Sequence, residues 1–372
     1  MSSFTIPLVD LHAQYLSIKK EIDQSIAAVI AESAFIRGEY VNRFESAFAQ
    51  LLGINHCISC ANGTDALYIA MKGLGIKPGD EVITTAHSWI STSETISQAG
   101  GKVVFCDTDK FTFTIDPAQI SAKITDRTVG IIPVHLYGQP ADMDPIMSIA
   151  QKHGLWVIED CAQAHLARYK GRLVGTIGQV GTFSFYPGKN LGAMGDAGCL
   201  VTQDAQLAYW CSLYARHGGK GYHHIEGINS RMDGLQAAIL LAKLPHLPEW
   251  TKQRQILAKM YDQELGNLAA IVTPYRALDR EHVYHLYVIR TQMRDQLKQY
   301  LSDQGIATCI NYSKALPFYP AYSYLGHQPD DFPQAKADQD QILSLPLYPE
   351  LTQIQLEHVV TSIKNCFDIV PA

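Results

Sequence analysis

Lys189, Asp160, Trp89, Ser184, Thr64 and Gly63 are the side chains in this 372-residue sequence whose types and positions could together do chemistry. A lysine amine can condense with a carbonyl to form a Schiff base and, once displaced, shuttle a proton. A carboxylate such as Asp160 can keep a ring nitrogen protonated, because a negative partner favours the charged form. Trp89 can stack on a flat ring, worth ~1 kcal/mol beyond the area it buries. Gly63 and Thr64, placed where a strand gives way to a helix, offer free backbone N–H groups and the helix dipole to a dianionic phosphate. Ser184 can add a hydroxyl donor. The group these residues fit is planar, phosphorylated and electron-withdrawing. Taken singly, Asp160 reads as a helix cap, Gly63 as a turn, Trp89 as core and Lys189 as a solvated loop residue. Their joint placement around one crevice is what points to a site.

The elements that must hold them alternate. Strands are expected at His56–Cys60, Glu81–Thr85, Lys102–Cys106, Val129–Leu136, Leu155–Glu159, Gly181–Tyr186 and Gly198–Thr202, with helices at 64–74, 90–99 and 142–153. This alternation predicts an α/β fold: a mostly parallel central sheet with helices on both faces. Residues between Tyr186 and Gly198 are too few for a crossover helix, so one strand there should run antiparallel. In an open parallel sheet ligands bind beyond the carboxyl ends of the strands, where the six residues fall. After Pro245 and Pro248 the pattern changes to a long helix at 251–266, a strand at His282–Arg290, a helix at 292–304, a strand at 306–312 and a helix at 351–366. We therefore expect a large domain over 1–250 and a smaller α+β domain over 251–372.

Composition narrows the class. The chain is 47% hydrophobic and 18% charged, as soluble globular proteins are, and its net charge of −6 argues against nucleic-acid binding. The N-terminus lacks a signal-peptide pattern, and the apolar runs fall short of the ~20 residues of a membrane span, so a cytoplasmic protein is expected. Eight scattered cysteines make no disulfide framework. Cys57 and Cys60 form a single CxxC, and neither it, His223–His224 nor the His282/His285 pair has the further ligands of a metal site, so none is expected.

The segments ANGTDALYIA (61–70), VHLYGQPADMDPI (134–146), VIEDCAQAH (157–165), FSFYPGKNLGAMGDAG (183–198) and GINSRMDGLQAA (227–238) resemble the DegT-type sugar aminotransferases. These are pyridoxal-phosphate enzymes of aspartate aminotransferase fold type I. IPLVDLHAQY and LSLPLYPELT also match, so the likeness spans nearly the whole chain. It implies that pyridoxal 5'-phosphate is carried on Lys189, with Asp160 at the pyridine nitrogen, Gln163 at the ring hydroxyl and Trp89 over the ring face, where phenylalanine is more usual. It implies that Gly63, Thr64 and Ser184 hold the phosphate, and that Asn229 reaches it from a neighbouring subunit, which requires a homodimer.

On the substrate side the resemblance suggests Tyr186, His217, Lys220, Arg231, Asn311 and Tyr312, although an ion pair of Arg231 with Asp233 is an equal alternative. The run INYSKALPFYP (310–320) departs from the family's His-Tyr-Pro: Asn311 and Ser313 replace the outer two and Tyr312 is kept. The implied reaction moves an amino group from L-glutamate, leaving 2-oxoglutarate, to a nucleotide-linked 3-keto sugar. A 4-keto sugar is the alternative. A sugar dehydratase would carry His in place of Lys189, and a non-enzymatic regulator would bind the cofactor without turnover.

Overall fold

The computed structural model describes residues 6–219 and 221–369. Seven strands form the central sheet in the order His56–Cys60, Gly198–Thr202, Val180–Ser184, Trp156–Asp160, Thr128–Ile132, Glu81–Thr85 and Lys102–Cys106. Gly198–Thr202 runs antiparallel to both its neighbours, and the remaining adjacent pairs are parallel. This is the expected fold class, including the reversed strand. Helices cover both faces. One face carries Glu39–Leu52 and Gly234–Lys243, and the other carries Gly63–Gly73, Ser91–Gln98 and Ala205–Tyr214.

Strand periodicity decides which side chains reach the site. Phe183 and Phe185 pack edge-on against Phe44 and Phe48 at 5.1–5.3 Å in one core, so Ser184 between them presents to the opposite face. Glu159 and Asp160 divide in the same way. Glu159 is sealed beneath the sheet, where its carboxylate accepts from His135 at 3.0 Å and from the N–H groups of Gly175, Ile177 and Gly178 at 2.7–2.9 Å. Asp160 emerges at the strand end. His135 Nδ1 accepts from the N–H of Ala141, so its proton sits on Nε2 and is donated to Glu159. His135, Glu159 and Cys161 are close enough to hold a metal, but the carboxylate oxygens of Glu159 are already engaged.

The expected strand Val129–Leu136 ends at Ile132, because Pro133 has no N–H to extend the ladder. Its carbonyl instead accepts from the N–H of Asp160 at 2.9 Å. His282–Arg290 forms a strand only over Tyr287–Arg290, paired with Ile342–Leu345. Tyr284 has φ 46° and stacks on His282 at 4.0 Å, which interrupts the extended chain. Residues 306–312 make isolated bridges rather than a strand, and the N–H of Tyr312 is taken by His87 Nε2 at 3.1 Å. Helices Leu247–Leu265, Arg294–Asp303 and Gln353–Ile369 surround a third core that also takes in Ile6. Among the described residues no helix is long and apolar enough to cross a membrane.

Candidate active site

A cavity of about 840 Å³ opens at the carboxyl ends of the central strands, against the N-termini of helices Gly63–Gly73 and Ser91–Gln98. Gly63, Thr64, Trp89, Asp160, Gln163, Ser184 and Lys189 all line it. At the first helix, Asn62 caps through its side chain, which accepts from the N–H of Asp65 at 2.8 Å. The earlier first-turn N–H groups have no intrahelical acceptor by construction. Thr64 Oγ1 lies 2.7 Å from Ser91 Oγ, joining the two helix N-termini. Only glycine fits at position 63, because a Cβ there would lie 2.6 Å from Ser184 Cβ. Backbone N–H groups, the dipole and hydroxyls thus converge on a concave corner with the chemistry of a phosphate cradle.

The charged pair stands deeper. Asp160 is 5% exposed; Thr92 Oγ1 donates to its Oδ2 at 2.8 Å and the N–H of Ala162 to its Oδ1 at 3.1 Å. Burial raises its pKa above the usual carboxylate value, against these two donors and the charge of Lys189. Burial lowers the Lys189 amine to about 8, with Asp160 opposing. With that pKa about a tenth of the Lys189 amine is unprotonated at pH 7, far more than of an ordinary lysine, and the unprotonated form is the nucleophile.

Gln163 is held from both ends. Its Oε1 accepts from the N–H of Tyr137 at 2.7 Å and its Nε2 donates to Tyr312 Oη at 2.9 Å. Trp89 is 57% exposed, with its ring 5.4 Å from that of Tyr312, so it forms part of the cavity wall and not of the core. Tyr186, Asn311 and Tyr312 also line the cavity. Asn311 is anchored through its Oδ1, which accepts from Ser344 Oγ at 2.8 Å.

His217, Asn229 and Arg231 do not line the cavity of their own chain. His217 and Asn229 are exposed. The N–H of His217 donates to the carbonyl of Ile228 and Arg216 bridges Asn229, which folds this segment back on itself outside the cavity. Arg231 is half-buried and forms no ion pair with Asp233 among the described residues. Lys220 lies outside the described residues.

Sequence reasoning missed four participants. Thr92 and Ser91 are ordinary hydroxyls of the helix after Trp89, distinguished only by their partners. His285, which the sequence offers only as half of a histidine pair without further metal ligands, lines the cavity. Its Nδ1 lies 3.3 Å from Asn190 Oδ1, and Asn190 Nδ2 donates to the carbonyl of Val283, which fixes that amide's orientation. Burial, followed by the charge of Lys189, holds the His285 pKa well below the usual histidine range. Arg254 also reaches the wall, from a helix whose spacing gives no sign of it.

Comparison with known proteins identifies the family. The family model described as DegT/DnrJ/EryC1/StrS aminotransferase matches residues 16–364. The chain is 46% identical to the "Pleiotropic regulatory protein" of Geobacillus stearothermophilus, over 97% of this chain and 98% of that one. It is 41% identical to a UDP-N-acetyl-3-dehydro-alpha-D-glucosamine 3-aminotransferase of Acidithiobacillus ferrooxidans, over 97% of each. The crystal structure of S. venezuelae DesV in complex with a ketimine intermediate superposes with TM-score 0.95 at 39% identity, covering 97% of this chain and 98% of that one.

Proposed function

The chain belongs to the DegT/DnrJ/EryC1/StrS aminotransferase family, and on that premise we propose that it transfers an amino group from L-glutamate to the ketone of a nucleotide-linked 3-keto sugar, using pyridoxal 5'-phosphate held on Lys189. Residues 1–250 would carry the cofactor and 251–372 would form a smaller domain beside it. The observation that carries the reading is the arrangement in one cavity of a low-pKa lysine, a buried carboxylate facing it and a phosphate-type corner.

The residues fit the cofactor. The corner at Gly63, Thr64 and Ser184 suits a dianionic phosphate, and it is too tight there for any side chain on residue 63. The cofactor, when bound, supplies an aldehyde that takes up amines and a protonated ring that draws electrons away from the carbon undergoing proton transfer. Asp160 keeps that ring protonated, and Thr92 and Ala162 keep Asp160 ionised and aimed. Gln163, fixed by Tyr137 and Tyr312, offers its remaining amide N–H to the ring hydroxyl. Trp89, on the cavity wall, would cover the ring face. Lys189 would hold the cofactor through its amine and, when that amine is free, would take and return a proton. Its lowered pKa equips it for both.

The 3-position is supported by the named reaction of the Acidithiobacillus relative. Either ketone could condense with the same amine, so the sugar pocket at Tyr186, Asn311 and Tyr312 must select between them. His217, Lys220 and Arg231 would belong to a site completed by a second copy. Asn229 is exposed and is not among the residues lining its own chain's cavity, which supports a role in a partner's site. The test is to offer matched 3-keto and 4-keto sugar nucleotides with L-glutamate. Amination of the 3-keto compound is expected. Amination of only the 4-keto compound would overturn the regiochemistry, and cofactor binding with no amino exchange would favour a regulator.

A further inference from the structure

Lys189 and His285 line the same cavity, and Asn190, the residue after Lys189, is bonded to His285. Asn190 is buried, and its amide is fixed at both ends. Nδ2 donates to the carbonyl of Val283 at 3.1 Å, which leaves Oδ1 facing Nδ1 of His285 at 3.3 Å. An amide oxygen only accepts, so the ring proton of a neutral His285 sits on Nδ1 and Nε2 carries a lone pair. Nε2 has no donor among the described residues and is not sealed in the core. The cavity is the space that His285 borders. Burial, then the charges of Lys189 and Arg254, with His165 beyond them, keep a second proton off the ring.

If His285 served only to brace Asn190, its second nitrogen would have no reason to face the cavity. A lysine that alternates between amine and ammonium has a use for it. A second carboxylate beside Lys189, added to Asp160, would hold the ammonium in an ion pair and leave little amine at neutral pH. A neutral ring nitrogen accepts an N–H from either form. It fixes the direction of the amine and steadies the ammonium that forms when Lys189 takes a proton, as the third group of a catalytic triad orients its base.

The geometry points to Asn190 and His285 as the positioning pair of Lys189: Asn190 fixes the ring tautomer, and Nε2 of His285 accepts a hydrogen bond from the Lys189 nitrogen whenever that nitrogen is free. The step this serves rests on the aminotransferase reading above. There a C–H bond of the amino donor breaks, its electron pair stays with the carbon, and the proton forms an N–H bond on Lys189 before it is returned. His285 gains no proton in the exchange.

Two measurements on the full-length, cofactor-free protein test the pair. Nitrogen NMR of histidine-labelled protein, with the His285 signals identified by their loss in His285→Gln, should show Nδ1 protonated and Nε2 bare at neutral pH. Lys189→Ala removes the donor, so it should move the Nε2 signal and leave Nδ1 in place. A proton on Nε2 of wild-type His285, or an Nε2 signal indifferent to Lys189→Ala, would overturn the proposal. The rate of pyridoxal phosphate capture reports the titration of Lys189. An acceptor for the ammonium raises the amine's pKa, so His285→Leu should move the midpoint of that pH profile down by about one unit. His285→Gln, whose amide oxygen can stand near the place of Nε2, should recover most of the wild-type midpoint, and thermal unfolding should show both variants folded. An unmoved midpoint in folded His285→Leu would also overturn the pair. If signal and midpoint move as expected while wild-type protein fails to exchange amino groups with L-glutamate, the positioning stands and the aminotransferase reading falls.

Discussion

Thr92 Oγ1 lies 2.8 Å from Asp160 Oδ2, joining the first turn of one helix to the end of a strand 68 residues away. The hydroxyl donates to the carboxylate that we place at the cofactor ring. Burial raises the pKa of Asp160, and Ala162 and Thr92 pull it down. The ionised form is present above that pKa and is lost as pH falls through it.

Thr92→Val should therefore shift the acid limb of turnover to higher pH. A hydrogen bond to a charged group contributes ~1.5–3 kcal/mol, equivalent to about one pH unit or more. Thr92→Ser should restore the wild-type limb. A pH profile of kcat for the three proteins checks this, and an unmoved acid limb in Thr92→Val would show that the contact does not tune Asp160.

Lys189 predicts a second pH dependence. With its amine lowered to about 8, the reactive unprotonated form of cofactor-free protein grows as pH rises through 8 and then saturates. The rate of pyridoxal phosphate capture, followed by absorbance, should level off above about pH 9. A rate still climbing steeply at pH 10 would mean an unperturbed lysine.

Gly63→Ala tests the phosphate corner. The new Cβ would lie 2.6 Å from Ser184 Cβ, and forced overpacking of this kind costs ~1–3 kcal/mol. Cofactor affinity, read by fluorescence titration, should fall more than the thermal transition does. A folded variant with wild-type affinity would move the phosphate elsewhere.

How much of this was legible depends on whether the signal was local. Buried strands such as Glu81–Thr85 stood out as short β-rich runs bounded by turn signals, and their ends located Asp160 and Ser184. Thr92 could not be read in advance, because one hydroxyl among Ser91, Thr92 and Ser93 differs from its neighbours only in tertiary contacts. Arg254 reads as a solvated helix residue until the backbone at Tyr284 and Leu347 closes over it and accepts from it. The aromatic composition of His282–Arg290 predicts a strand throughout, whereas the left-handed backbone at Tyr284 is a tertiary outcome.

Asn229 can be assigned to its own or a partner's site by mixing. Lys189→Ala and Asn229→Ala proteins should each be impaired alone. If Asn229 serves the neighbouring subunit, a mixed dimer contains one site with wild-type Lys189 and wild-type Asn229, so co-refolded protein should regain activity. No recovery in a mixture shown to exchange subunits would place Asn229 in its own chain's site.

The account turns on the amine of Lys189. Borohydride reduction of the yellow, cofactor-loaded protein followed by peptide mapping should find the cofactor bonded to the Lys189 peptide, and Lys189→Ala should fold yet carry no label. A label on any other lysine would contradict the account.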